Sequence, residues 1–215
     1  MTRATADPVR PSRLAVAAAG TLLTLAACAG PEPTEAPAQQ PTEPTTEQPA
    51  PQAISAEGTL APPEQATNAF TYDPALAPVG ARLSVEAEES DGSTEVELEV
   101  DGLLPDRGYA VHAHARPCGP TGQAAGPHYQ NEVDPAATPE QASADPAFAN
   151  PRNEIWLDLT TDAEGDGEAR SEVPFVFTDR APASIVVHEA EATATAAGEA
   201  GAAGGRVACV DVPFA

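Results

Sequence analysis

Residues 94–100 read Thr-Glu-Val-Glu-Leu-Glu-Val, a strict alternation of carboxylates and aliphatic side chains. A period of two fits an extended strand with one face in water and the other in a core, whereas a helix would scatter these charges around its circumference. Residues 82–88 repeat the pattern, with Leu83, Val85 and Ala87 on one side. Ile155, Leu157 and Leu159 alternate with Trp156, Asp158 and Thr160 in the same way. Further strands are expected at 69–73, 109–115, 167–173, 183–188 and 206–212, with Asp-Gly turns at Asp91-Gly92 and Asp166-Gly167. No amphipathic helical stretch of useful length competes with them. Seven to eight short antiparallel strands in one domain of ordinary size predict an all-β sandwich or barrel.

The N-terminal third has a different character. Arg3, Arg10 and Arg13 precede an apolar run at 14–27, which is short for a membrane span and has the shape of a secretory signal. It ends in Leu25-Ala-Ala-Cys28, which resembles a bacterial lipobox and implies that Cys28 carries a lipid. Beyond it, proline, threonine, glutamate and glutamine dominate, with little apolar surface to offset the entropy of ordering. The expected organisation is therefore a signal at 1–27, a tether at 28–66 and a folded domain at 67–215. Extended, the roughly 35 residues from Cys28 to about Pro63 would reach roughly 100 Å, at about 3.1 Å per residue.

Charge narrows the partners. Ten arginines and no lysine face 33 acidic residues, for a net charge of −23. Nucleic acid and anionic membrane surfaces would repel such a chain, so contact with a membrane is expected through the lipid on Cys28 alone.

The chain has four histidines: His112 and His114 in Tyr109-Ala-Val-His-Ala-His114, His128 in Ala125-Gly-Pro-His-Tyr129, and His188 in Ser184-Ile-Val-Val-His188. On a strand, residues two apart share a face, so His112 and His114 can direct two imidazoles at one ion. Imidazole suits copper, zinc, iron and nickel, and a flattened set of nitrogen donors favours Cu(II).

The sequences YAVHAH, AGPHY, SIVVHE and GGRVAC, in this order, resemble the motifs of the copper/zinc superoxide dismutases. The resemblance implies a Greek-key β-barrel, with His112, His114, His128 and His188 as copper ligands and His128 at the position that bridges copper and zinc. It also implies that Arg206 attracts the superoxide anion and that Cys118 and Cys209 form a disulfide.

The chain departs from the family at zinc, which there takes two further histidines and an aspartate; no histidine is left to supply them. The resemblance and this departure together predict a copper-only site without zinc, with Glu132, Asp134 and Glu154 as candidates to orient His128. Trp156, on the face opposite Ile155, Leu157 and Leu159, is expected to pack beneath a loop, with cover of the region that zinc would occupy as the alternative. The implied activity is superoxide dismutation by an exported protein, lipid-anchored at the outer face of the bacterial membrane. A non-catalytic copper-buffering lipoprotein of the same fold is the alternative.

Overall fold

The computed structural model describes residues 52–138 and 143–214. The signal segment, Cys28 and the tether up to residue 51 lie outside the described residues. Ten strands and one 3-10 turn follow in order: β1 Gln52–Thr59, β2 Ala69–Thr71, β3 Arg82–Ser90, β4 Ser93–Asp101, β5 Gly108–Tyr109, β6 Val111–His114, the turn Gly122–Ala125, β7 Leu159–Thr160, β8 Gly167–Val173, β9 Ser184–His188 and β10 Arg206–Asp211. Two four-stranded sheets, ordered β1-β3-β4-β8 and β2-β10-β9-β6, are built from antiparallel pairs. The short pair β5-β7 links them, because β5 runs on into β6 of one sheet and β7 leads to β8 of the other.

The alternation read from the sequence sets the inner faces. Leu83, Val85, Val96, Leu98 and Val100 from the first sheet are buried against Val111, Ala113, Ile185, Val187 and Val210 from the second. The carboxylates between them point outward, where Arg170 on β8 pairs with Glu95 at 3.2 Å and Glu97 at 2.8 Å. Between β3 and β4, Asp91 (φ 50°) and Gly92 (φ 84°) form the expected two-residue turn, with Ser90 opposite Ser93.

Three expectations need correction. The sequence places residues 52–66 in the tether, yet Gln52–Thr59 is strand β1, in register with β3 from Gln52↔Glu89 to Thr59↔Arg82. Its inward positions are Ile54, Ala56 and Gly58, too small to produce a clear hydrophobic period. An edge strand needs only one partner and a modest apolar face, and here Ile54 and Ala56 pack against the core.

Residues 155–160 are strand only at Leu159–Thr160, although 155–157 still bond to β6, through Ala113 N to Ile155 O (3.1 Å) and Leu157 N to Val111 O (2.8 Å). The turn expected at Asp166-Gly167 lies earlier, at 162–165. Gly165 takes φ 89° and donates to Asp162 O, while Gly167 already begins β8.

Candidate metal centre

Strand β6 turns Val111 and Ala113 into the core and His112 and His114 to the opposite, outer face of its sheet. On neighbouring β9, Val186 lies opposite His112 and belongs to a small apolar cluster on that same face, with Ala125 and Cys209. His188, two residues on from Val186, follows it there. His128 arrives on a segment that bonds alongside β6, through Ala115 N to Pro127 O (3.0 Å) and Tyr129 N to Ala113 O (2.9 Å). One ring nitrogen from each of the four histidines lies within 4.8 Å of the other three. His112 Nδ1 is 3.1 Å from His128 Nε2, and His114 Nε2 is 3.2 Å from His188 Nε2.

The outer nitrogens decide where the protons sit. His114 Nδ1 faces the Gly126 carbonyl at 3.0 Å and His128 Nδ1 faces Glu154 Oε2 at 3.1 Å; both partners accept, so these nitrogens carry hydrogen. His112 Nε2 lies 2.6 Å from Thr193 Oγ1, whose own proton goes to Asp158 Oδ1 at 2.7 Å, so it too donates. Because burial holds His112 and His114 neutral, their inner nitrogens are thereby left as lone pairs. The lone pair of His112 Nδ1 faces His128 Nε2 at 3.1 Å. His188 Nδ1 makes no hydrogen bond of ordinary geometry, the Gly204 backbone being the polar group that favours its protonation.

Burial keeps His112, His114 and His188 neutral, which a metal ligand requires. Desolvation comes first and the neighbouring imidazoles second in pushing His112 and His114 well below the ordinary value of 6.5. His188 is pushed to about 3, by desolvation first and then by His128 and Arg206. Four buried or half-buried rings, each with a nitrogen within 4.8 Å of the others, fit a cation of the kind that imidazole binds.

Of the carboxylates expected near His128, Glu154 is the one that reaches it. It is 2% exposed and also accepts from Gln130 Nε2 at 2.7 Å and Trp156 Nε1 at 2.7 Å. Asp134 instead accepts from Ser143 Oγ and the Ala136 amide. Trp156 rests on the His112 ring, with centroids 5.6 Å apart. Sequence reasoning missed Asp158 and Thr193. The signal for Asp158 was present, since the alternation that sends Ile155, Leu157 and Leu159 inward puts Glu154, Trp156 and Asp158 together on the metal side. No sequence signal marks Thr193.

Arg206 stands opposite His188 in the β9-β10 register. Strict alternation would put Arg206 and Cys209, three residues apart, on opposite faces. The register shifts between Arg206 and Ala208, so that Val207 and Ala208 both enter the core and Arg206 turns to the histidine side. Its guanidinium donates to Gly122 O (2.7 Å) and Gly126 O (2.6 Å), and the latter carbonyl also receives His114. The disulfide Cys118–Cys209 ties the loop after β6 to the strand that bears Arg206.

No curated protein sequence matches the chain. Among 121 matching chains of solved structures is a crystal structure of a single-substitution mutant of an SOD-like protein from Bacillus subtilis. It has 14% sequence identity, covers 74% of this chain and 95% of that one, and has a TM-score of 0.45. The sequence profile described as copper/zinc superoxide dismutase (SODC) matches residues 79–212, more than half of the chain. That match takes in all four histidines, Arg206 and both bridged cysteines, and on its strength the chain belongs to the copper/zinc superoxide dismutase family.

Proposed function

We propose that this protein dismutates superoxide at a copper-only centre formed by His112, His114, His128 and His188. The observation that carries the reading is that partners outside the cluster take one ring nitrogen each of His112, His114 and His128, which turns the other nitrogen of each toward the shared centre. Copper bound there supplies a one-electron couple, so that one superoxide leaves as oxygen and a second leaves as peroxide with two protons.

The chain's own residues do the rest. Glu154 holds the proton on His128 Nδ1, keeping Nε2 aimed at the centre and fixing the ring's orientation. Because that Nδ1 is engaged by a buried carboxylate, it is not available to a second metal, which supports the copper-only reading. Arg206 presents a cation beside His114 and His188, with both of its bonded nitrogens held by backbone carbonyls. The overall charge of −23 repels superoxide at long range. At physiological salt the Debye length is about 8 Å, so the charge at the site governs the final approach.

Arg206→Ala should leave copper content unchanged and lower the dismutation rate about tenfold or more, as loss of one electrostatic contact does. Arg206→Lys should recover part of the rate by keeping the charge without the planar fork. Pulse radiolysis with elemental analysis reads both quantities. A copper-loaded parent without turnover would favour the copper-buffering reading.

The location is part of the proposal: a lipid on Cys28 would hold the domain at the outer face of the membrane. The lipobox resemblance and the acidic surface, which has no affinity for anionic headgroups, support it. Cys28→Ser should move the protein from the membrane fraction to the medium. A mutant that stays with the membranes sinks the anchor.

A further inference from the structure

We propose that Thr193 is a positioning residue for the metal centre, its hydroxyl fixing His112 as the tautomer whose Nδ1 faces the other three histidines. This inference rests on the reading of that cluster as a copper centre. His112 is the exception in the set, since its Nδ1 lies in the inner contacts where the other three offer Nε2. Its far nitrogen is fully buried and must find a partner within the protein.

That partner is Thr193 Oγ1, at 2.6 Å. The Asp158 carboxylate sets the direction of the bond. Asp158 Oδ1 accepts the Thr193 hydroxyl at 2.7 Å and the Val111 amide at 3.1 Å, and Oδ2 accepts the Thr193 backbone amide at 2.7 Å. A carboxylate only accepts, so the hydroxyl's single proton is spent on Asp158 and its lone pairs are left for His112 Nε2–H. Asp158 Oδ1 is 3.9 Å from His112 Nε2, too far to do this directly. The hydroxyl is therefore the necessary link.

Thr193 sits on the long connection between β9 and β10. Asp158, from the approach to β7, clasps that connection through both the backbone and the side chain of one residue. Docking of the connection and orientation of a metal ligand are thus one event. Loss of such an outer partner lowers metal affinity by about 10–100-fold.

The test has two arms. In the metal-free parent, long-range 15N–1H NMR should show His112 protonated at Nε2; protonation at Nδ1 overturns the proposal. This arm uses the unaltered protein and decides the matter even if a variant fails to fold.

In the second arm, chelator competition should give a copper(II) dissociation constant at least about tenfold weaker for Thr193→Val, with a changed EPR spectrum. Thr193→Ser, which keeps the hydroxyl, should match the parent in both. If Thr193→Ser is as weak as Thr193→Val, the methyl's packing is responsible and the proposal fails. If Thr193→Val binds and looks like the parent, it fails as well. A parent that binds no copper would sink the copper reading instead, leaving the tautomer result to stand on its own.

Discussion

Copper(II) should quench the fluorescence of the His114→Ala protein only at concentrations at least about 100-fold above those the parent needs. Trp156 is the chain's single tryptophan and lies 5.6 Å from the His112 ring, so its emission reports an ion held by the histidines. Losing a partner outside the ligand sphere costs about 10–100-fold in affinity, and losing a ligand costs more. The substitution also removes the donor to Gly126 O, leaving Arg206 as the bonded cation on that carbonyl. Equal quenching of parent and variant at equal copper would place the ion elsewhere.

Acid should unfold the copper-free domain before most carboxylates titrate. His112, His114 and His188 have folded-state pKa values below the ordinary 6.5, because burial penalises the charged ring. Above about pH 6.5 these rings are neutral in both states and contribute no pH dependence. Below it the unfolded chain binds protons that the folded chain refuses. Stability then falls by about 1.4 kcal/mol per pH unit for each ring, a slope near 4 kcal/mol for all three, until the pH nears 3 for His188. A domain's whole stability is about 5–15 kcal/mol, so this slope is a large effect. Urea midpoints of chelated protein should be level above about pH 7 and drop steadily below 6.5. Bound copper should move the drop to lower pH, since protons must then displace it. A chelated protein as stable at pH 5 as at pH 8 would mean that the histidines are not held neutral.

What the sequence disclosed follows from how strongly each position is constrained. Glu95, Glu97 and Glu99 against Val96, Leu98 and Val100 left no doubt about β4, because charge and hydrocarbon cannot exchange faces. Gln52–Thr59 escaped notice because Ile54, Ala56 and Gly58 bury little each, and the strand's stability comes from its ladder with β3. The four histidines were legible as a set through their motifs. Arg206 was found by resemblance alone, since simple alternation sends it into the core and only the irregularity near Val207 brings it to the histidines. Glu154 could be narrowed to three candidates but not chosen, because a buried hydrogen bond across 26 residues of chain leaves no local trace. Thr193 was invisible for the same reason, its partners lying 35 and 81 residues away.

The four histidines stand on the outer side of their sheet, and the space between the sheets is filled by hydrocarbon from β3, β4, β6, β9 and β10. Chemistry and architecture thus draw on alternate residues of the same strands. An exchange at His112 or His114 changes the candidate centre and leaves the packing between the sheets in place, while an exchange at Val111 or Ala113 disturbs that packing and removes no histidine. Descendants of such a barrel are free to drop, swap or re-equip the outer side one residue at a time, with the inner side carrying the inheritance of shape.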